Sequence, residues 1–192
     1  PDNITASFKD NVISISATHN GKTVSFDAPV IYPSTGSSPY PVMIGVGRSF
    51  LNNDALDKLG VAIINFPNND VGEQKNGSSR GKGKFFELYG SDHSASALIA
   101  WSWGISRLID GLEQLPDAKL DTAHIGVTGC SRNGKGALVA GAFDERIALT
   151  VAQESGSGGA ANWRVSEDQQ RNGQNVQTLK PIVTENVWLT ES

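Results

Sequence analysis

The densest chemical signal in the chain is Gly129-Cys130-Ser131-Arg132-Asn133-Gly134-Lys135-Gly136. It follows a short apolar run, residues 124–128, and leads into small residues suited to close helix packing, 136–142. A serine on a sharp strand-to-helix turn is the nucleophile elbow of a serine hydrolase. Its neighbours must be small, because the turn brings backbone against backbone. Gly129, two residues before Ser131, fits that need. Asn133 takes the place of the second glycine in G-x-S-x-G, and Gly134, one residue later, can do its work. The amino terminus of the following helix favours a developing oxyanion. Two other readings compete. A phosphate-binding loop would use Gly129, Gly134 and Lys135, but Gly136 stands where a magnesium-binding Ser or Thr is required. Such loops also usually follow the first strand of a domain, and this one follows a late strand. The third reading is a glycine-rich turn without chemistry.

A serine nucleophile needs a base and an acid to orient it, in α/β-hydrolases in the order Ser, Asp or Glu, then His. The next apolar run, 147–152, leads into Gln153-Glu154-Ser155-Gly156-Ser157-Gly158-Gly159. Glu154 therefore stands at the carboxyl end of a strand, where an adjacent parallel strand would set it beside Ser131. A solvated loop carboxylate is the plainer alternative. The three histidines, His19, His93 and His124, all precede Ser131. They fall in a hairpin turn, at a helix start and at the start of a strand, and none suits the general-base role.

The elements that must position these groups come in two kinds. Residues 4–9, 12–18 and 24–31 alternate apolar with polar, and Asn20-Gly21 supplies the tight turn of an antiparallel hairpin. Residues 42–46, 61–66, 124–128 and 147–152 are continuous apolar runs, with a helix expected at 51–59. Such runs separated by helices mean a mostly parallel sheet covered on both faces. Leu98, Trp101, Ile105, Leu108, Leu112 and Leu115 line one face of a helix over 94–115, with Ser94 as its cap and Leu115-Pro116 as its end. That stripe reads as core. Residues 68–90 read as a long polar loop at the carboxyl edge of the sheet, where α/β proteins bind ligands.

Composition excludes a good deal. The 192 residues, 38% hydrophobic and 19% charged with 21 glycines, describe one turn-rich globular unit rather than a coiled coil or a disordered tail. No apolar run approaches the roughly 18 residues of a membrane span. Sixteen basic against twenty acidic residues argue against a nucleic-acid partner. Cys130 is the single cysteine, so neither an intrachain disulfide nor a multi-cysteine metal site is available. The start, Pro1-Asp2-Asn3, has no apolar leader, so any signal peptide is expected to have been removed already. Asn3-Ile4-Thr5 and Asn76-Gly77-Ser78 are glycosylation sequons and suit a secreted, extracellular protein.

Val127-Thr128-Gly129-Cys130-Ser131-Arg132-Asn133-Gly134-Lys135-Gly136 resembles the signature of the glucuronoyl esterases, carbohydrate esterase family fifteen. The segment 153–160, Trp163-Arg164, Asn175-Val176-Gln177-Thr178 and Thr184-Glu185-Asn186 resemble that family in the same order. The resemblance implies an α/β-hydrolase three-layer sandwich. It implies a serine esterase that cleaves the ester between 4-O-methyl-glucuronic acid on glucuronoxylan and lignin alcohols. Ser131 would be the nucleophile, Glu154 the acid and Arg132 an oxyanion donor. Lys135, Gln177 and Glu185 would contact uronate hydroxyls. No metal or organic cofactor is implied. Members carry the catalytic histidine, and a cysteine that pairs with the position of Cys130, on segments beyond residue 192. Asn162 stands where many fungal members have another disulfide cysteine. The chain is therefore expected to be the amino-terminal portion of one catalytic domain, inactive until the carboxyl-terminal part completes the sheet. A carboxylesterase of other specificity and an inactive carbohydrate-binding relative remain as alternatives.

Overall fold

The computed structural model describes residues 1–180, 182 and 187–189. Among the described residues seven strands form one sheet: β1 (Asn3–Lys9), β2 (Val12–His19), β3 (Lys22–Ile31), β4 (Tyr40–Val46), β5 (Ala62–Phe66), β6 (Leu120–Cys130) and β7 (Ile147–Gln153). The spatial order is β1-β2-β3-β5-β4-β6-β7. β1, β2 and β3 pair antiparallel, and β3 joins β5 antiparallel. From β5 through β4 and β6 to β7 every pair is parallel. This is the mixed, mostly parallel sheet that the alternating and continuous apolar runs predict. Asn20 and Gly21 both have positive φ, +48° and +76°, as the two-residue hairpin turn demands.

The helices include α1 (Asn53–Lys58), α2 (Asn68–Val71), α3 (Lys84–Tyr89), α4 (Ala97–Leu112), α5 (Arg132–Phe143) and α6 (Trp163–Arg171). Side chains alternate across a sheet, so the central strands β4 and β5 feed two cores. On one face Val42, Ile44, Val46, Ile64, Phe66, Ile125 and Val127 meet the α4 stripe, with Trp101, Ile105 and Leu108 fully buried. Burying such a side chain is worth about 1.5–3 kcal/mol. On the other face Met43 and Ile63 pack on Leu56 of α1. There Leu149 of β7 stays 54% exposed; Phe143, at the end of α5, is 73% exposed.

Several boundaries differ from the sequence reading. Ser96, not Ser94, caps α4, its hydroxyl accepting from Ile99 N at 3.4 Å. Residues before it are held in a turn, where Ala95 N donates to His93 Nδ1 at 3.0 Å. The helix ends at Leu112, and Leu115 N donates to Leu112 O in a tighter final turn before Pro116. β6 begins at Leu120, so His124 lies inside the strand rather than at its start. α5 begins directly after Ser131. Residues 68–90 are not one loop: they contain α2, a single 3₁₀ turn and α3. α3 is short and flanked by Gly83 and Gly90, and it forms because Phe85 and Tyr89 pack on Trp103 of α4.

Candidate active site

β6 delivers Ser131 to the carboxyl edge of the sheet, and β7 delivers Glu154 beside it. The parallel register sets Gly129 against Ala152 and Cys130 against Gln153, so the next residues out are Ser131 and Glu154. Ser131 N donates to Gln153 O at 3.0 Å, which locks the two strand ends together. Both residues have positive φ, +57° at Ser131 with ψ −124°, and +43° at Glu154. A non-glycine residue adopts such a backbone at a cost of about 1–3 kcal/mol, and persists there when its surroundings leave no alternative.

Those surroundings are glycines. A Cβ at Gly129 would lie 2.3 Å from Asn133 O, and one at Gly134 would lie 2.5 Å from Gln153 O. Gly134 thus supplies the close approach usually made one residue earlier. The Asn133 side chain is left to bond outward. Its Nδ2 donates to Val46 O at 2.9 Å, and its Oδ1 accepts from Asn68 Nδ2 at 3.2 Å. The elbow is thereby braced against the ends of β4 and β5. Nothing in the sequence marks Asn68 for this role. Ser131 itself is exposed, and its carbonyl accepts from Lys135 N at 3.1 Å, the first full turn of α5. The amino terminus of α5 thus lies directly behind the serine, where helix N–H groups lack intrahelical partners and favour negative charge.

Cys130 is a free, half-buried thiol whose Sγ lies 3.7 Å from Glu154 Oε2. Burial pushes its pKa up, and the charge and hydrogen bonding of Glu154 push it further. A thiol held protonated is a poor nucleophile. Of the two adjacent candidates, Ser131 is the one the site presents.

Lys135 is not the surface cation its sequence position also allows; it is 2% exposed. Its stem passes beneath the turn after β7, where a Cβ on Gly158 would lie 3.7 Å from Lys135 Cε. Its Nζ sits 5.1 Å from the ring centre of Trp188. Gly156 lies between two predicted substrate contacts: a Cβ there would meet Gln177 Oε1 at 2.6 Å and Lys135 Nζ at 3.8 Å. The Gln177 segment is tied to the same turn by Ser157, whose hydroxyl donates to Gln177 O at 2.7 Å. Glu185, the remaining predicted contact, lies outside the described residues, as do Thr184 and Asn186. Arg132 is exposed beside Ser131, with Nη1 donating to Gln74 Oε1 at 2.9 Å and Cζ over the Trp188 ring at 5.3 Å. A cleft of about 400 Å³ opens there, lined by residues that include Gln74, Arg132 and Trp188. A concavity of similar size lies away from the elbow, between the first residues of the chain and α4, and holds none of the predicted catalytic or substrate-binding residues.

The histidines are engaged elsewhere, His19 closing β2 four strands across the sheet from β6. His19 Nδ1 faces Asp2 Oδ1 at 3.0 Å and His124 Nδ1 faces Asp121 Oδ2 at 2.7 Å. His93 packs on the rings of Phe85 and Tyr89. His124 precedes Ser131 by seven residues along an extended strand, roughly 20 Å. The site thus brings together Ser131, Arg132, Glu154, Lys135 and Gln177 but no imidazole among the described residues.

Known proteins agree with this geometry. The family model described as fungal glucuronyl esterase matches residues 15–192. The 4-O-methyl-glucuronoyl methylesterase of Hypocrea jecorina is 52% identical over 190 residues, covering 99% of this chain and 40% of that protein. The enzyme of the same name from Neurospora crassa is 51% identical, covering 99% of this chain and 48% of that protein. The chain therefore spans about half the length, or less, of these relatives. Among solved structures, the glucuronoyl esterase catalytic domain of Hypocrea jecorina superposes with a TM-score of 0.92 at 52% identity, over 99% of this chain and 51% of that one. A mutant glucuronoyl esterase from Sporotrichum thermophile, solved in complex with methyl 4-O-methyl-beta-D-glucopyranuronate, superposes with a TM-score of 0.91 at 47% identity, over 100% of this chain and 51% of that one. With its strained serine elbow, its register-matched carboxylate and its mixed sheet all in agreement, the chain belongs to the fungal glucuronyl esterase family and has the α/β-hydrolase fold.

Proposed function

We propose that the polypeptide carrying this chain is a secreted serine esterase that cleaves the ester between 4-O-methyl-D-glucuronic acid of glucuronoxylan and lignin alcohols. The observation that carries this reading is Ser131, strained at φ +57° at the head of α5 and hydrogen-bonded to the strand end that bears Glu154. The ligand in the Sporotrichum thermophile structure, a methyl ester of a uronate, is the matching substrate class.

The chemistry follows from the placement. Ser131 Oγ attacks the uronate carbonyl carbon as a histidine removes its proton. The resulting oxyanion is stabilised by the Arg132 guanidinium and the amino terminus of α5. The tetrahedral species collapses, the alcohol leaves with the proton returned by the histidine, and a uronyl ester remains on Ser131. Water, activated by the same histidine, releases the acid and restores the serine. Glu154 orients the imidazole and supports its positive charge. Lys135, Gln177 and Glu185 hold the uronate hydroxyls.

In this reading residues 1–192 are the amino-terminal part of a single catalytic domain, and the histidine comes from the carboxyl-terminal part. The exposed Leu149 on β7, the last strand of the sheet among the described residues, supports a further segment packing there. That segment would also bring the cysteine that pairs with Cys130, in the oxidising space outside the cell. Asn3 and Asn76 are both exposed and would carry glycans there. The test is hydrolysis of methyl 4-O-methyl-glucuronate by the full-length polypeptide and by residues 1–192 alone. Turnover only in the former is the expected result. Activity of the short chain, or none in either, contradicts the proposal.

A further inference from the structure

Arg132 is an exposed, long side chain, yet its guanidinium is held on two sides. Nη1 donates to Gln74 Oε1 at 2.9 Å, and the face of the group lies over Trp188. Trp188 is itself only 5% exposed and so forms a fixed floor. Gln74 comes from a separate stretch of chain, the connection between α2 and α3, which the sequence reads as a polar loop.

That connection is pinned on both sides of Gln74. Glu73 N donates to Lys82 O at 3.0 Å, Gln74 N to Asn69 Oδ1 at 3.3 Å and Lys75 N to Ser79 Oγ at 3.0 Å. Ser79 is fully buried, and its hydroxyl donates to Glu73 Oε1 at 2.8 Å. One residue further back, Gly72 O accepts from the buried Trp101 Nε1 at 2.7 Å. Three successive backbone N–H groups are thus tied down around one outward-reaching amide. A hydrogen-bond donor aids catalysis when it is in place before charge develops, because reorganisation during the reaction then costs nothing. A free arginine has many rotamers to lose. An amide oxygen fixes the guanidinium while leaving its full charge for the substrate, which a carboxylate partner would offset.

The geometry points to Gln74 as a positioning residue that holds the Arg132 guanidinium ready for the oxyanion, an inference that rests on the oxyanion role proposed for Arg132. Gln74 acts only through Arg132, so its effect must disappear when that side chain is gone. The experiment is a double-mutant cycle in the full-length polypeptide, with methyl 4-O-methyl-glucuronate as substrate. Arg132→Ala should lower kcat by about 10²-fold. Gln74→Met, which keeps the stem, and Gln74→Ala should each lower kcat by about 5- to 20-fold with KM little changed. In the Arg132→Ala background either change should cost less than about two-fold. The same loss with and without Arg132, or no loss in either background, overturns the inference. An Arg132→Ala protein with unchanged kcat overturns the oxyanion role itself, and this is read from a separate variant.

Discussion

At the carboxyl end of α5, Asp144 accepts from Arg146 Nη2 at 2.7 Å and Nε at 2.9 Å, and from Ser106 Oγ at 2.7 Å. At the amino end Ser131 makes no side-chain capping bond, is exposed, and sits in strained backbone. The contrast extends to the neighbours. Arg146 goes on to Asp110 at 2.9 Å and Glu113 at 3.2 Å, so α4, α5 and the start of β7 are fastened by one charge network. Arg132 and Lys135 instead place two cations in the first turn of α5, where the helix dipole disfavours them. One end satisfies its polar groups with each other, and the other leaves Ser131 exposed and Arg132 lining a cleft. Strain and misplaced charge at the elbow can persist because the rest of the helix is fixed independently of them.

Substitutions at the two ends should therefore separate activity from stability. The largest effect is expected at Ser131. In the full-length polypeptide, Ser131→Ala should lower ester hydrolysis by about 10⁴-fold or more while the melting temperature stays unchanged, since an exposed hydroxyl contributes little packing. Next is Lys135. Lys135→Met retains the buried stem and removes the charge, so KM should rise by about ten-fold with a smaller change in kcat. Equal losses in both parameters would move Lys135 from binding into the chemical step.

The opposite pattern is expected at the far end. Asp144→Asn should cost about 1–3 kcal/mol of stability, read by denaturant melts, with kcat unaltered. Side-chain hydrogen bonds from Arg146 hold the Asp144 carboxyl down at about 2, below the usual carboxylate range. A carboxylate depressed in the folded state contributes stability above its unfolded pKa and loses it as pH falls through the folded one. The wild type should therefore lose part of its stability advantage over Asp144→Asn between about pH 4 and pH 2. A constant difference between the two proteins across that window would contradict the assignment.

Much of the positioning frame was legible in the sequence because its signals are periodic. The alternation in residues 4–31 with Asn20-Gly21 marks β1 to β3, and the continuous apolar runs mark the parallel strands. The strand-end position of Glu154 beside Ser131 followed from parallel pairing alone. What escaped is set by tertiary contact. α3 is too short and too glycine-bounded to announce itself, and exists because its aromatic rings meet Trp103. α6 carries a mostly polar sequence, capped by Asn162, whose Oδ1 accepts from Arg164 N at 3.1 Å. Ser94 and Ser96 are chemically equivalent caps, and the turn at His93 decides between them. Asn68 and Gln74 lie in the stretch 68–90 that the sequence places at the ligand edge, but nothing in its pattern singles out those two residues, nor Trp188. Burial of Lys135 is likewise invisible until the turn after β7 folds over it.

The central claim is that Ser131 becomes acylated. It is tested most directly by rapid acid quench of the full-length polypeptide during turnover of methyl 4-O-methyl-glucuronate, followed by peptide mass spectrometry. The expected result is the mass of a 4-O-methyl-glucuronyl ester on the peptide containing Ser131, absent in the Ser131→Ala protein. Turnover with that peptide unmodified, or with the adduct on Cys130 or elsewhere, would contradict the claim.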